Sequence, residues 1–378
     1  MSDVGIERIG RTKGDLRRFF DVAEKIYEND PHWVAPVRAD LAKVLSPKNP
    51  FFRHAEIQLF IARRDGADVG RIAAILDRNH NDFQGERTGF FGYFESENDR
   101  EVADRLIDAA ARWGRERGLS ILRGPANPSL NAEAGLLVDG FDAPPVFMMT
   151  YNPAYYGPLL EEAGFRKAKD LFAYRIEPSP EPLERLERLA ERTRRRTTDL
   201  RVRPITRRTL AADLPKVREV YNAAWQGNWG FVPMTREEIA FMARRLRPLL
   251  DRDLSCLAEI RRRDGSHEPI AFFVALRDFN QAIAPTRGRL LPFGWLKFLL
   301  AAPKVRTLRL LTFGVKREWR MRGIDAVVFA ESLRAVLRRG FTSVEASWIV
   351  EDNFPMIRGI EFWRGHRYKT YRLYDRPL

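Results

Sequence analysis

The stretch with the most chemical content is Leu308-Arg-Leu-Leu-Thr-Phe-Gly-Val-Lys-Arg-Glu-Trp-Arg-Met-Arg-Gly-Ile-Asp, which continues into Ala326-Val-Val-Phe-Ala. An apolar run, Leu308 to Val315, gives way to a basic turn from Lys316 to Gly323, and a helix begins at Ile324. The start of a helix offers unpaired backbone N–H groups and a partial positive charge. Such a start is an anion site. Gly323 lets main chain approach a phosphate closely, and Arg317, Arg320 and Arg322 add positive charge. The chemistry this suggests is the binding of a phosphate-bearing cofactor or substrate.

The elements that must hold such a turn recur twice in the 378 residues. Arg63-Arg64-Asp65-Gly66 matches Arg262-Arg263-Asp264-Gly265, and Asp77 and Asn79 match Asp278 and Asn280, an offset of 201. The offset then grows to 222, with Phe91-Gly92 opposite Phe313-Gly314, Gly118 opposite Gly340 and Asn131 opposite Asn353. It returns to 201 at Gly164 and Gly365. Matches in the same order, broken by one insertion in each half, indicate a duplication. Each half reads as alternating strands and helices: strands over 57–62 and 69–76, a helix ending at Gly118 and a strand over 119–122. The second half repeats the order with strands over 270–276, 308–315 and 342–349. The expected division is a first domain over 1–177, a linker helix within 178–200 and a second domain over 201–378.

With the motif and its flanking strands in view, the stretch Arg320-Met-Arg-Gly323-Ile-Asp325 resembles motif A of the GNAT acyltransferase superfamily, Arg/Gln-x-x-Gly-x-Gly/Ala. The resemblance implies an α/β (α+β) fold of two tandem GNAT domains, each a mixed central sheet flanked by helices. It implies acyl-CoA as co-substrate, acetyl or long-chain, and direct attack of an amine on the thioester with no metal. It would place the pyrophosphate on Arg320, Arg322, Gly323 and Ile324, the pantetheine arm along Phe313, Gly314 and Val315, and Asn353 nearby. Asp325 departs from the pattern, standing where Gly or Ala is usual. At the offset of 222, Gly323 maps to Glu101, and the first-half turn Glu95-Ser-Glu-Asn-Asp99 is acidic. That turn would repel a pyrophosphate, so the first half reads as a degenerate copy.

Acyl transfer needs a neutral amine, a place for the oxyanion and a proton for the leaving thiolate. The resemblance puts the oxyanion donor near Phe313 to Val315. The tyrosine acid expected four residues before Gly365 is absent, because Glu361 stands there, and His366 follows Gly365 where phenylalanine is usual. The remaining candidates are Glu345, Tyr368 and His366, with Glu259, Glu351, Asp352 and Tyr371 behind them. The aromatic and amide-rich run from Tyr221 to Pro233 falls where GNAT acceptor sites lie. Tyr221, Trp225, Asn228 and Trp229 either line an acceptor groove or pack a helix end.

The insertion in the second half is apolar from Leu290 to Ala302 apart from Lys297 and is flanked by Arg287, Arg289, Lys304 and Arg306. The segment 288–306 suits an interfacial helix or a lid over a lipid chain, or else a dimer contact. This insertion, the Trp225-to-Pro233 run and the tandem layout are similar to the bacterial ceramide synthase-like branch of the superfamily. The similarity implies transfer of a long acyl chain to the amine of a sphingoid base.

Composition narrows the classes. A net charge of +14 attracts phosphates of any kind. The run Arg194-Arg195-Arg196 lacks interleaved aromatics, so it reads as the solvated end of a linker helix and no nucleic acid is expected. Cys256 is the single cysteine, which excludes an internal disulfide and a thiolate metal cluster. The first twenty residues lack an apolar signal core, and no stretch is long enough to span a bilayer. The expected location is cytoplasmic, with peripheral contact at the inner membrane face open.

Overall fold

The computed structural model describes residues 3–378. The first half supplies β1 (Gly5–Ile9), β2 (Ala55–Arg64), β3 (Ala67–Asp77), β4 (Thr88–Ser96) and β5 (Ile121–Gly124). The short pieces β6 (Ala126–Asn127), β7 (Glu133–Ala134) and β8 (Leu136–Asp139) follow, then β9 (Arg166–Ile176). The helix Pro180–Arg196 leads into β10 (Leu200–Pro204), β11 (Ser255–Arg261), β12 (His267–Arg277), β13 (Thr307–Val315), β14 (Ser343–Val350) and β15 (His366–Pro377). The expected strands are all present, most of them a residue or two longer, while those expected over 119–122 and 342–349 begin later, at Ile121 and Ser343.

The expected two central sheets are one continuous sheet, in the order β1-β2-β3-β4-β5-β15-β9-β14-β13-β12-β11-β10. The halves exchange their last strands. β9, from the first half, pairs antiparallel with β14 of the second, while β15 pairs antiparallel with β5 of the first. The two exchanged strands pair with each other at the centre. Long apolar runs on β3, β4, β11 and β12 are buried on both faces because helices cover both, whereas β13 is only half-buried from Leu310 to Phe313.

Two helices of corresponding position follow the fourth strand of each half, Arg100–Arg115 and Ile324–Arg338. Each buries a small-residue and aliphatic face against its own half of the sheet, through Val102, Ala103, Leu106 and Ala110 in one and Ile324, Val327, Val328 and Ala330 in the other. These starts correct the expected alignment. The first helix is capped by Asp99 and the second by Gly323, so Gly323 corresponds to Asp99 and not to Glu101. The strands begin at Thr88 and Thr307 but the helices at Arg100 and Ile324, so the second turn is longer. A constant offset through that region slides past its own turn. Glu95 and Ser96, assigned above to the acidic turn, belong instead to β4.

Candidate acyl-CoA site

The site begins where β13 and β14 part. They pair in parallel from Thr307–Ser343 to Leu310–Ala346, and the pairing stops there. β13 runs on to Val315 paired only with β12 on its other side. A β-bulge on β14 falls between Ala346 and Ile349, where Trp348 has a positive φ of 55°. The strands therefore form a wedge, closed at Leu310 and open toward Val315. A second register slip, between Leu310 and Thr312, leaves Leu311 unpaired with β12 at the point of divergence. No sequence signal marked either bulge.

At the open end lies the glycine turn. Arg320, Met321 and Arg322 are exposed, Met321 fully so, and Gly323 takes φ 80° at the N-cap of the helix. No side chain caps that helix, so no side-chain hydrogen bond occupies its first N–H groups, which an anion site requires to be unoccupied. Asp325, in the first turn of that helix, is exposed. Ile324 is buried in the core, so only its main chain can serve a ligand. Arg320, though exposed, holds the turn by donating to the carbonyls of Val315 and Ala224. A Cβ on Gly323 would come within 2.2 Å of the Thr193 hydroxyl.

The corresponding wedge of the first half is plugged. β4 and β5 pair only over Thr88–Ile121 to Phe90–Arg123. Beyond that, Asn127 Oδ1 accepts from Tyr93 N at 2.6 Å and the Tyr156 hydroxyl accepts from Ser96 N at 2.9 Å. A Cβ on Gly92 would strike the Ala126 carbonyl at 1.9 Å. The helix start is sealed as well, since the Asp99 carboxylate accepts from Val102 N and pairs with Arg64.

At the closed end of the second wedge, Arg309 and Glu345 are Cα partners on adjacent strands, and both are buried. Tyr368 reaches across from β15 and donates its hydroxyl hydrogen to Glu345 Oε2. Burial pushes the Glu345 carboxyl up to about 7. Lys369, the next residue on β15, is also buried, and desolvation brings its ammonium down to about 8 while it donates to the carbonyls of Gly140 and Ala143 at 2.7 and 2.6 Å. Glu345 Oε1, Thr312 Oγ1, Trp348 Nε1 and the Tyr371 hydroxyl are buried without a hydrogen-bond partner. Unpaired buried polar atoms are costly, and their concentration around one wedge marks a place built for polar atoms from outside the chain.

The sequence-derived candidates thus divide. Glu345 and Tyr368 meet. His366 is exposed at the start of β15, opposite Arg175, two strands from Glu345. Glu259 is held by Arg203 and Lys216, and Glu351 by Lys167. Phe313 turns its ring onto Phe329, 4.6 Å between centroids. Gly314 lies against Trp225, where a Cβ would meet Cζ3 at 2.5 Å, and Trp225 stacks on Tyr221 at 4.7 Å. The acceptor candidates Tyr221 and Trp225 are therefore beside the pantetheine candidates. Asn228 is half-buried, its N–H donating to the Trp225 carbonyl. Trp229 points elsewhere, packing on the first half under Arg123 and Lys169. Asn353 heads the helix Phe354–Phe362 after β14, making no side-chain cap.

A sheet with a splayed parallel pair, and a glycine turn at the open end leading into an uncapped helix, defines the tandem GNAT class of N-acyltransferases. The same architecture is seen in a tandem GNAT protein from the clavulanic acid biosynthesis pathway, at a TM-score of 0.60 and 14% identity over 99% of this chain and 98% of that one. It is seen also in a GCN5-related N-acetyltransferase from Sphaerobacter thermophilus, at a TM-score of 0.54 and 14% identity over 99% and 95%. No family model matches the chain. Two curated proteins do: the bacterial ceramide synthase of Caulobacter vibrioides, 37% identical over 97% of this chain and 96% of its own length, and Protein YghO of Escherichia coli, 36% identical over 99% and 96%. The chain belongs to the bacterial ceramide synthase family.

Proposed function

We propose that the second half binds acyl-CoA in the β13–β14 wedge and transfers its acyl group to the amine of a sphingoid-type lipid. The observation that carries this is the wedge itself, open and lined with unpartnered polar atoms in the second half and plugged by the chain in the first. The turn from Arg320 to Ile324 offers main-chain N–H groups to the pyrophosphate. The unpaired edge of β13 from Leu311 receives the pantetheine arm in the manner of an added strand and turns an N–H toward the carbonyl oxygen. The ammonium first loses one proton to solvent, leaving the neutral amine. As the C–N bond forms, Glu345, ionised, takes a second proton from the nitrogen, and as the C–S bond breaks that proton passes through Glu345 and Tyr368 to the thiolate.

The lipid character of the acceptor is supported by the insertion. The helix Gly294–Ala301 has no buried residue. Leu291, Phe293, Trp295, Leu296, Leu299 and Leu300 are exposed, and Arg287, Arg289, Lys297, Lys304 and Arg306 surround them. No helix among the described residues is long and apolar enough to cross a membrane. A short apolar face ringed by cations fits the headgroup boundary of an anionic leaflet. From it, Phe298, Phe279 and Phe147 are in ring-to-ring contact at 5.8 Å each. Phe147 O accepts from Arg309, so the apolar seam ends beside Glu345.

The test is thiol release from a long-chain acyl-CoA with a sphingoid base, in the unmodified protein and in Gly323→Glu. The variant, folded by circular dichroism, is expected to lose both CoA binding and turnover. Undiminished CoA affinity in that variant refutes the site, and absence of thiol release with any long-chain amine in the unmodified protein refutes the activity.

A further inference from the structure

The linker helix Pro180–Arg196 does more than join the halves. It packs along the helix Ile324–Arg338, with Glu187 against Arg334 and Arg194 against Glu331. The sequence of contacts shows the two helices running in opposite directions, so the last turn of the linker helix lies at the first turn of the other. Thr193 fixes this closely. Its side chain is buried, with its hydroxyl against Gly323 Cα, and it makes no side-chain hydrogen bond among the described residues.

Arg194 is neutralised by Glu331. Arg192, Arg195 and Arg196 are exposed and, among the described residues, have no carboxylate partner. Arg317 and Arg322 are likewise exposed, the latter over the Trp319 ring at 5.1 Å. Five guanidinium groups without a carboxylate partner among the described residues therefore belong to the glycine turn and to the helix end packed against it. The main-chain N–H groups there suffice for a pyrophosphate. A CoA nucleotide carries one more phosphate, the dianionic ester on the ribose 3′ oxygen. The guanidinium fork suits such a group.

We propose that the last turn of the linker helix, through Arg192, Arg195 and Arg196, binds the 3′-phosphate of the acyl-CoA nucleotide. This rests on the reading of the wedge as an acyl-CoA site. The competing role for these arginines is to offset the negative end of their own helix's dipole, and it makes no distinction between nucleotides.

The experiment compares CoA with 3′-dephospho-CoA by equilibrium titration on the full chain at low ionic strength. The unmodified protein is expected to bind CoA about tenfold more tightly. The variant Arg192→Ala/Arg195→Ala/Arg196→Ala is expected to bind both at the dephospho-CoA level. Charge reversal, Arg195→Glu/Arg196→Glu, is expected to make CoA the weaker ligand. A triple variant that keeps the preference for CoA, or an unmodified protein that binds both nucleotides equally, overturns this proposal and leaves the wedge reading standing. Failure of the unmodified protein to bind either nucleotide overturns both.

Discussion

Replacing Glu345 by Gln tests the chemistry and the electrostatics of the wedge together. The substitution keeps size and removes the charge from a carboxyl that is 2% exposed. Burial raises that carboxyl from 4.5 to about 7, which corresponds to about 3 kcal/mol of disfavour for the charged form in the folded state. The folded protein holds the proton more tightly than the unfolded chain between those two pH values. Stability contributed by the neutral acid is therefore complete below about pH 4.5 and lost as pH rises through about 7. Urea unfolding at pH 5 and pH 8 should show the unmodified protein losing up to about 3 kcal/mol that Glu345→Gln does not lose. In thiol-release assays the unmodified enzyme should gain kcat as pH rises through about 7. Glu345→Gln should lack that limb and fall by at least about a hundredfold, with acyl-CoA affinity unchanged. A variant that keeps both the rate and the limb refutes the role of Glu345 as base. A pH-independent difference in stability between the two proteins refutes the raised pKa on which the role depends.

Two other perturbations follow from the geometry. Leu296→Glu/Leu300→Glu alters two exposed positions and should leave the melting temperature unchanged while reducing sedimentation with anionic vesicles at least about tenfold; equal sedimentation removes the insertion from membrane contact. His54 bridges Asp77 of the first half and Glu238 of the second, at 2.9 and 3.2 Å. Burial opposes its charge, but the two carboxylates outweigh it and push the imidazole up to about 9. This clamp is fully present below about pH 6.5 and fades as pH rises through about 9, so His54→Gln should cost up to about 3 kcal/mol at pH 6 and little at pH 10. A cost independent of pH argues against the charged bridge.

The proposed site is legible in the sequence wherever one local segment carries it. Gly323 and its arginines stand within one strand-turn-helix unit, and the structure puts Gly323 at the N-cap with φ 80°. Glu345 and Tyr368 could be named separately, but their meeting depends on β9 lying between β14 and β15, a long-range pairing that no repeat register contains. Leu311 was invisible for a related reason, since a bulge is a mismatch between two strands and not a property of either. His366 is a sound candidate by residue type, but it stands at the start of β15, where it and Arg367 are both exposed. The arginine run after Thr193 looked like a solvated helix end, and only the packing of Thr193 on Gly323 shows what it sits beside.

The traded terminal strands bear on why a half that has filled its own cleft is still carried. Strand β9 gives β14 its neighbour, and β15 gives β5 its neighbour. Separating the two halves would strip each of its closing strand and bare a long hydrogen-bonding edge, a template for aggregation. The amino-terminal portion is thus retained as scaffold for the strand that carries Tyr368, and mutation can erode its ligand site but not its backbone without dismantling the catalytic portion too.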